Sequence, residues 1–270
     1  MNTPIPKNVY NAINSVFFNA YNICRPKILG SQKNVYCLDS ANDTFVFKFS
    51  TRELVQKNAH VSQIFQSAGI PAPNISAMEH DGTWFELYKR IPGKTLYEQV
   101  GAQMDSDKIQ TAYHDIANAF AKMTDLDLHS LPQIKYDYIY KVARENITVA
   151  NNAVMGAVFG QLVRVLNRGQ DKDSGLYHAG MTPKNLVVSD DGHLRAILDI
   201  DEAAICNKNY AFAMMAAKYR QLGFDERELM EYYEQISGDK LNHRRISAMI
   251  NMTDLGKHLL WKNTQRGRTK

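Results

Sequence analysis

Alternating apolar and polar positions near the start of the chain predict a small antiparallel sheet. In residues 44–49 the three phenylalanines share one side, while Val46 and Lys48 share the other. An apolar run at 35–38 precedes this stretch, and the polar residues between the two runs are typical of a turn. Residues 84–90 predict a further strand. Lys48 is therefore either a lysine that extends to solvent from a buried strand or a lysine with a function on that face.

Apolar residues at helical spacing predict several helices. Residues 8–23 show this spacing and predict an amphipathic helix that ends before Pro26. Residues 52–68 predict a second helix, which the Gly-Ile-Pro run at 69–71 would end. Further helices are predicted over residues 106–123, 136–167, 225–236 and 241–260.

The composition is that of an ordinary soluble protein. A chain of 270 residues that is 44% hydrophobic and 22% charged suits one large domain or two lobes. The net charge of +4 is too small to indicate a nucleic-acid partner. No apolar run approaches the ~18 residues that span a membrane, and no signal peptide is visible. Cys24, Cys37 and Cys206 are far apart, which favours reduced thiols in a cytoplasmic protein.

The clearest local pattern lies between Leu176 and Ala204, where we expect loop, strand, turn, strand and loop. Residues 186–188 form a short apolar run, and an Asp-Gly pair at 191–192 is a strong hairpin signal. A hairpin folded here brings Asn185 beside Asp199, with a register uncertain by one or two residues. Hard cations such as Mg²⁺ prefer oxygen ligands of this kind, with phosphate oxygens and water in the remaining positions. The pattern thus predicts a cation site at one end of the hairpin.

Residues 178–185, together with residues 197–199, resemble the catalytic core of the aminoglycoside phosphotransferase and choline kinase family, a relative of the protein kinases. The pattern of that family is His-x-Asp-x-x-x-x-Asn, followed by an Ile-Asp pair at the end of a hairpin. His178 and Asn185 keep the spacing, but Gly180 stands where the family has its catalytic Asp.

The resemblance implies an α+β, bilobal, protein-kinase-like fold. A small antiparallel-sheet N-lobe would cover residues 1–91, and a mainly helical C-lobe would cover residues 92–270. The turn at 30–34 resembles the hairpin that covers the phosphates in the family. Residues 91–96 resemble the hinge between the lobes, although a plain strand-to-helix turn is an alternative.

The resemblance also implies ATP and Mg²⁺ as cofactors. The positions that would contact the nucleotide are Ser31, Lys48, Tyr88 and Arg90. Asn185 and Asp199 would hold Mg²⁺, and His178 would support the loop around Gly180, the position of the missing Asp.

Two further positions depart from the family pattern. Relatives carry a Glu on the helix after the lysine strand, but the equivalent region here is 58–60, which has no carboxylate. Glu53 could pair with the lysine if the register of the helix differs. Residues 205–218 resemble the buried helix that follows the metal Asp in relatives, and Ala211 stands near the place of an Asp that braces the catalytic loop there.

Two functions are compatible with this pattern. The first is ATP/Mg-dependent transfer of phosphate to a small-molecule hydroxyl with an altered general base, for which Asp201 and Glu202 are candidates. The second is a catalytically inactive pseudokinase that binds nucleotide or an unknown protein partner. The acidic residues at 225–234 either receive a cationic substrate, as in relatives, or form a solvated helix face. We expect neither nucleic acid nor a membrane as a partner.

Overall fold

The structure, a computed structural model, describes residues 5–17, 22–24, 34–39, 43–127 and 174–251. The helices are α1 (Lys7–Phe17), α2 (Arg52–Ser67), α3 (Leu96–Gly101), α4 (Ser106–Thr124), α5 (Lys208–Gln221) and α6 (Glu226–Ser237). Residues 243–251 are also helical. Within these described ranges no helix is both long enough and apolar enough to cross a lipid bilayer.

Ten strands form three antiparallel sheets in the described part of the chain. The strands are β1 (Asn22–Cys24), β2 (Val35–Asp39), β3 (Thr44–Phe49), β4 (Ser76–His80), β5 (Thr83–Lys89), β6 (Lys94–Thr95), β7 (Ser174–His178), β8 (Leu186–Val188), β9 (Leu194–Ile197) and β10 (Ala203–Asn207). A five-stranded sheet has the order β1-β2-β3-β5-β4, and two smaller sheets have the orders β6-β8-β9 and β10-β7.

The two faces of the five-stranded sheet differ as the alternation in β3 predicts. On one face Phe47, Phe49 and Phe85 pack with the apolar side of α1 into a buried cluster. On the other face lies a smaller apolar cluster, beside the half-buried Tyr88. Lys48 belongs to this second face, because its Cα partners in the neighbouring strands are Val35 and Glu86.

A second and larger core lies in the C-terminal part of the chain. Here α4, α5 and α6 enclose β7, and Phe120 stacks on Tyr177 with 4.8 Å between the ring centroids. Phe120 also contacts Phe212 and Tyr233 at centroid distances of 4.1 and 5.6 Å. Aromatic contacts of this kind stabilise a core beyond the burial of apolar area alone. The β8–β9 hairpin packs on this core through Leu186, Val188 and Ile197.

The segment from Ile91 to Thr95 joins the large sheet to the helical part. Thr95 caps α3 with a capping box, in which its hydroxyl accepts from the Glu98 N–H and the Glu98 carboxylate accepts from the Thr95 N–H. A side chain at Gly93 would meet the Val188 carbonyl, since an ideal Cβ there lies 2.6 Å from that oxygen. The linker therefore packs directly on the β8–β9 hairpin.

Three expectations about elements need correction or lie outside the described residues. The helix expected over 8–23 is shorter, because residues 22–24 pair with β2 as a strand. Residues 174–178 and 203–207 form a two-stranded sheet where a loop and the start of a helix were expected. This pairing depends on a contact between distant segments, which local spacing does not encode. The helix expected over 136–167 lies outside the described residues.

Candidate active site

The β8–β9 hairpin fixes the relation between Asn185 and Asp199. Leu186 lies opposite Ile197, and the Leu198 N–H donates to the Asn185 carbonyl at 2.7 Å. Asn185 is therefore the partner of Leu198, one residue from Asp199, within the uncertainty of the sequence prediction. Asp199 has a left-handed backbone with φ of 56°, a conformation that is uncommon among non-glycine residues and is adopted most readily by Asn and Asp.

The loop before the hairpin is closed by its own hydrogen bonds. The Thr182 N–H donates to the Gly180 carbonyl at 2.7 Å, and the Asn185 side-chain amide donates to the same carbonyl at 2.9 Å. His178 is fully buried, and its Nε2 lies 3.2 Å from the Leu198 carbonyl, which can only accept. Burial lowers the pKa of His178 to about 4, so the imidazole is neutral near pH 7. His178 thus ties the loop to the hairpin as an uncharged donor.

Lys48 connects the five-stranded sheet to the end of the hairpin. Its ammonium donates to Asp199 Oδ1 at 2.5 Å and to Asp201 Oδ1 at 2.7 Å. Burial alone would lower the pKa of Lys48, but the attraction of Asp199 and Asp201 outweighs it and the pKa is raised. The lysine is therefore charged, and it does not extend to solvent.

Helix α2 supplies an amide where the family has a carboxylate. The buried Asn58 donates from Nδ2 to Glu86 Oε1 at 2.6 Å and to Asp201 Oδ1 at 2.5 Å. Asn58 is thus the residue of the 58–60 region that faces the site. Glu53 is exposed in the first turn of α2, so the alternative that it pairs with Lys48 is wrong.

Glu86 is a site residue that the sequence analysis missed. It lies on β5 directly opposite Lys48 in the register and is only 2% exposed. Burial raises the pKa of Glu86 to about 7, although Lys48 and Asn58 oppose this shift. A single Glu between Phe85 and Leu87 in an apolar strand was the available signal, because such a residue is rarely buried without a partner.

The remaining predicted nucleotide contacts are placed as follows. Tyr88 packs against Val35, Cys37 and Val46 on the same face as Lys48, and burial raises the pKa of its phenol. Arg90 is exposed just after β5, where its backbone N–H donates to the Thr44 carbonyl. Ser31 lies outside the described residues.

The space beside Gly180 holds a carboxylate from another residue. An ideal Cβ at position 180 would lie 2.8 Å from Glu202 Oε2 and 2.8 Å from His178 Cε1. Any side chain at 180 would therefore require both the flexible end of Glu202 and the buried imidazole of His178 to shift. Ala211, near the position of the bracing Asp in relatives, is fully buried in the core within α5.

The donors at the end of the hairpin fit Mg²⁺. Mg²⁺ is usually bound by one or two carboxylates together with substrate phosphates and water. Asp199 provides a carboxylate, and the amide nitrogen of Asn185 is held by Gly180, which leaves the amide oxygen to a cation. In the described ranges no group of three or more His, Cys, Asp or Glu side chains is arranged for a metal. A cation here would thus depend on phosphate oxygens for its other ligands.

Comparisons with known proteins identify relatives of this fold. The model of the family described as "Phosphotransferase enzyme family" matches residues 27–245. An aminoglycoside-3'-phosphotransferase of type VIII superposes with a TM-score of 0.70 at 13% identity, covering 93% of this chain and 100% of the other. The ADP-bound aminoglycoside phosphotransferase APH(2'')-Ib gives 0.63 at 13% identity, with 97% and 90% covered. Choline kinase LicA from Streptococcus pneumoniae gives 0.65 at 15% identity, with 97% and 91% covered.

A search of curated protein sequences found no match. The family model covers most of the chain, and the solved structures share its protein-kinase-like fold. Its structural neighbours include aminoglycoside phosphotransferases and a choline kinase. The chain therefore belongs to the phosphotransferase enzyme family.

Proposed function

We propose that the protein transfers the γ-phosphoryl group of ATP to a hydroxyl group of a small molecule. One observation carries this proposal: Lys48 and Asp199, 151 positions apart, meet at the end of the hairpin next to Asn185. The nucleotide would lie between an N-terminal lobe at 1–91 and a C-terminal lobe at 92–270. Phosphoryl transfer depends mainly on positioning and charge stabilisation, which these groups are able to supply.

Each group has a role that follows from its position. Lys48 would pair with the phosphates of ATP. Tyr88 and the apolar cluster beside it would lie next to the adenine ring. Asn185 and Asp199 would hold Mg²⁺, which neutralises phosphate charge when it is bound. His178 would keep the loop at Gly180 in place. The nucleotide contacts proposed from the family pattern alone are Ser31 and Arg90.

The acceptor is proposed as a small molecule that carries both a hydroxyl and a positive charge. Two of the structural neighbours are named for aminoglycosides and one for choline. The acidic segment that begins at Asp225 is consistent with such an acceptor. Part of that segment is already neutralised, since Glu226 pairs with Arg220 and Glu234 pairs with Lys240. We place the reaction in the cytoplasm, where ATP is available and free thiols stay reduced.

A pseudokinase is the second candidate function, and one observation favours it. Lys48 already pairs with both Asp199 and Asp201, so the groups proposed for phosphate and metal satisfy one another. Together with Gly180, this arrangement is compatible with a module that binds nucleotide or a protein partner without catalysis.

Titration calorimetry of ATP, with and without Mg²⁺, tests the proposal. The wild type should bind ATP more tightly with Mg²⁺, and Asp199→Asn should lose this difference because a neutral amide is a weaker Mg²⁺ ligand. Asp190→Asn, in the exposed hairpin turn, is the matched control and should behave like the wild type. Absence of ATP binding by the wild type would overturn the proposed function. Magnesium-dependent binding without transfer to any hydroxyl acceptor would favour the pseudokinase.

A further inference from the structure

A carboxylate at Glu202 occupies the space that the missing side chain of position 180 would fill. Its Cδ lies 3.3 Å, and its Oε2 2.8 Å, from the point where a Cβ of residue 180 would stand. Real Cβ atoms essentially never approach another atom as closely as 2.8 Å. Glycine at 180 thus leaves room for the Glu202 carboxylate and for the His178 imidazole, and an Asp at 180 would displace the end of the Glu202 side chain.

The backbone around Glu202 is held on both sides. Ala203 pairs with His178 in the β10–β7 sheet, which sets residue 202 alongside the start of the loop. Lys57 on α2 donates to the carbonyl of Asp201 at 2.6 Å and to that of Ala203 at 3.1 Å. The Lys57 ammonium therefore binds the backbone of the two residues that flank Glu202. A carboxylate on so constrained a segment has a defined position relative to Gly180.

We propose that Glu202 is the general base of the transfer reaction, in place of the Asp that is absent at 180. This inference rests on the proposed function. The acceptor hydroxyl oxygen forms a bond to the γ-phosphorus while the bond from that phosphorus to the β–γ bridging oxygen breaks. The bond electrons leave with ADP, and the hydroxyl proton passes to the Glu202 carboxylate, which later returns it to solvent. With water as the acceptor, the same step yields inorganic phosphate.

Turnover and binding are measured on the same variants of the full chain. The probes are hydrolysis of Mg-ATP, with water as acceptor, and transfer to choline and to kanamycin. Glu202→Gln, which keeps the shape but cannot accept the proton, should lower kcat by roughly 10²–10⁴-fold. Its affinity for Mg-ATP by calorimetry should stay that of the wild type. Glu53→Gln, an exposed carboxylate on α2, is the matched control.

Returning the carboxylate to position 180 provides a second test. Gly180→Asp alone should lower turnover, because its side chain meets Glu202. The double variant Gly180→Asp/Glu202→Ala should recover part of the activity that Glu202→Ala loses. Thermal unfolding tests the contact between position 180 and the Glu202 carboxylate without measuring activity. Gly180→Ala should lower Tm by several degrees in the wild type and by less in the Glu202→Ala background.

The outcomes separate this inference from the proposed function. Unchanged turnover in Glu202→Gln, beside an active wild type, would overturn the base and leave the proposed function intact. A loss of Mg-ATP affinity that matches the loss of turnover would also overturn it, because Glu202 would then act in nucleotide binding. Absence of Mg-ATP binding by the wild type would overturn the proposed function and the base together. Binding without hydrolysis or transfer would favour the pseudokinase and would exclude a base role.

Discussion

At the scale of single residues, the site is a cluster of charges whose balance depends on Glu86. Lys48 faces Asp199, Asp201 and Glu86, and the Lys57 ammonium donates to the Asp201 carbonyl. An ionised Glu86 places a further negative charge next to Asp199 and Asp201 in a buried position. Burial is also the main reason that the pKa of Glu86 is about 7. Glu86 is therefore the member of the cluster whose charge changes near neutral pH.

Glu86→Gln should change how the stability of the protein depends on pH. The folded-state pKa of about 7 lies above the ordinary 4.5, so the folded protein binds this proton more tightly than the unfolded chain. The stabilisation is complete below pH 4.5 and is lost as the pH rises through about 7. The free energy of unfolding of the wild type, relative to Glu86→Gln, should fall by roughly 3 kcal/mol over this interval. Urea unfolding at several pH values measures this. Parallel pH profiles for the two proteins would contradict the prediction.

Asn58→Ala should destabilise the protein through unsatisfied acceptors. It removes the donor to the buried Glu86 Oε1 and one of the two donors to the partly exposed Asp201 Oδ1. A buried polar group left without a partner costs about 1–3 kcal/mol. The matched control is Gln66→Ala, an amide on the exposed side of the same helix, which should cost under about 0.5 kcal/mol. Chemical denaturation of both variants gives the comparison. Equal losses would show that the buried amide has no special role.

At the scale of elements, turns were predictable and pairing between distant segments was not. The Asp-Gly turn at 191–192 indicated the β8–β9 hairpin, and the structure confirms it. The helix predicted over 52–68 is confirmed as α2, which ends just before the Gly-Ile-Pro run at 69–71. The β7 and β10 strands were missed, because short buried strands have no period that separates them from loops or helix starts. Their identity comes only from the pairing of 174–178 with 203–207.

Gly192→Ala should show how closely the hairpin turn packs on the first turn of α4. Gly192 has φ of +94°, and an added Cβ would lie 2.5 Å from the Lys108 carbonyl oxygen. Gly82 is a matched control, because its φ is +74° but an added Cβ would meet nothing within 4 Å. Gly82→Ala should cost about 1–2 kcal/mol from backbone strain alone. Gly192→Ala should cost about 1–3 kcal/mol more, since backbone must move to relieve the overlap. Equal losses in chemical denaturation would contradict this packing.

At the scale of the whole molecule, the site is assembled by contacts that α2 and the five-stranded sheet make with residues 199–203, the segment after the β8–β9 hairpin. Lys48 reaches Asp199, and Asn58 reaches Asp201, across separations of 151 and 143 positions. The family pattern pointed to Lys48 and Asp199, because their chemistry is tied to recognisable local sequence. It did not reveal Lys57 or Glu86, whose roles follow from the packing of α2 and the register of β5. Such contacts depend on tertiary structure, which spacing along the chain does not encode.

Lys57→Met should loosen α2 and the segment 199–203 together. Methionine keeps the apolar stem of the lysine but removes the donor to the carbonyls of Asp201 and Ala203. The free energy of unfolding should fall by about 1–3 kcal/mol, because both carbonyls then lack this hydrogen-bond donor in a half-buried place. Amide hydrogen exchange should then increase in both elements, since local opening follows the contacts that are lost.

Lys122→Met is the control for that exchange measurement. Lys122, on α4, also donates to a carbonyl next to α2: its ammonium lies 2.8 Å from the carbonyl oxygen of Gly69. Gly69 follows the C-terminal end of α2, whereas Lys57 lies near its middle. The loss of the Lys122 ammonium should therefore increase exchange near residue 69 and leave 199–203 unchanged. If Lys57→Met affected only α2, or if both variants gave the same exchange pattern, the contacts of Lys57 would not hold the segment 199–203. The proposed position of Glu202 would then lack its support from Lys57.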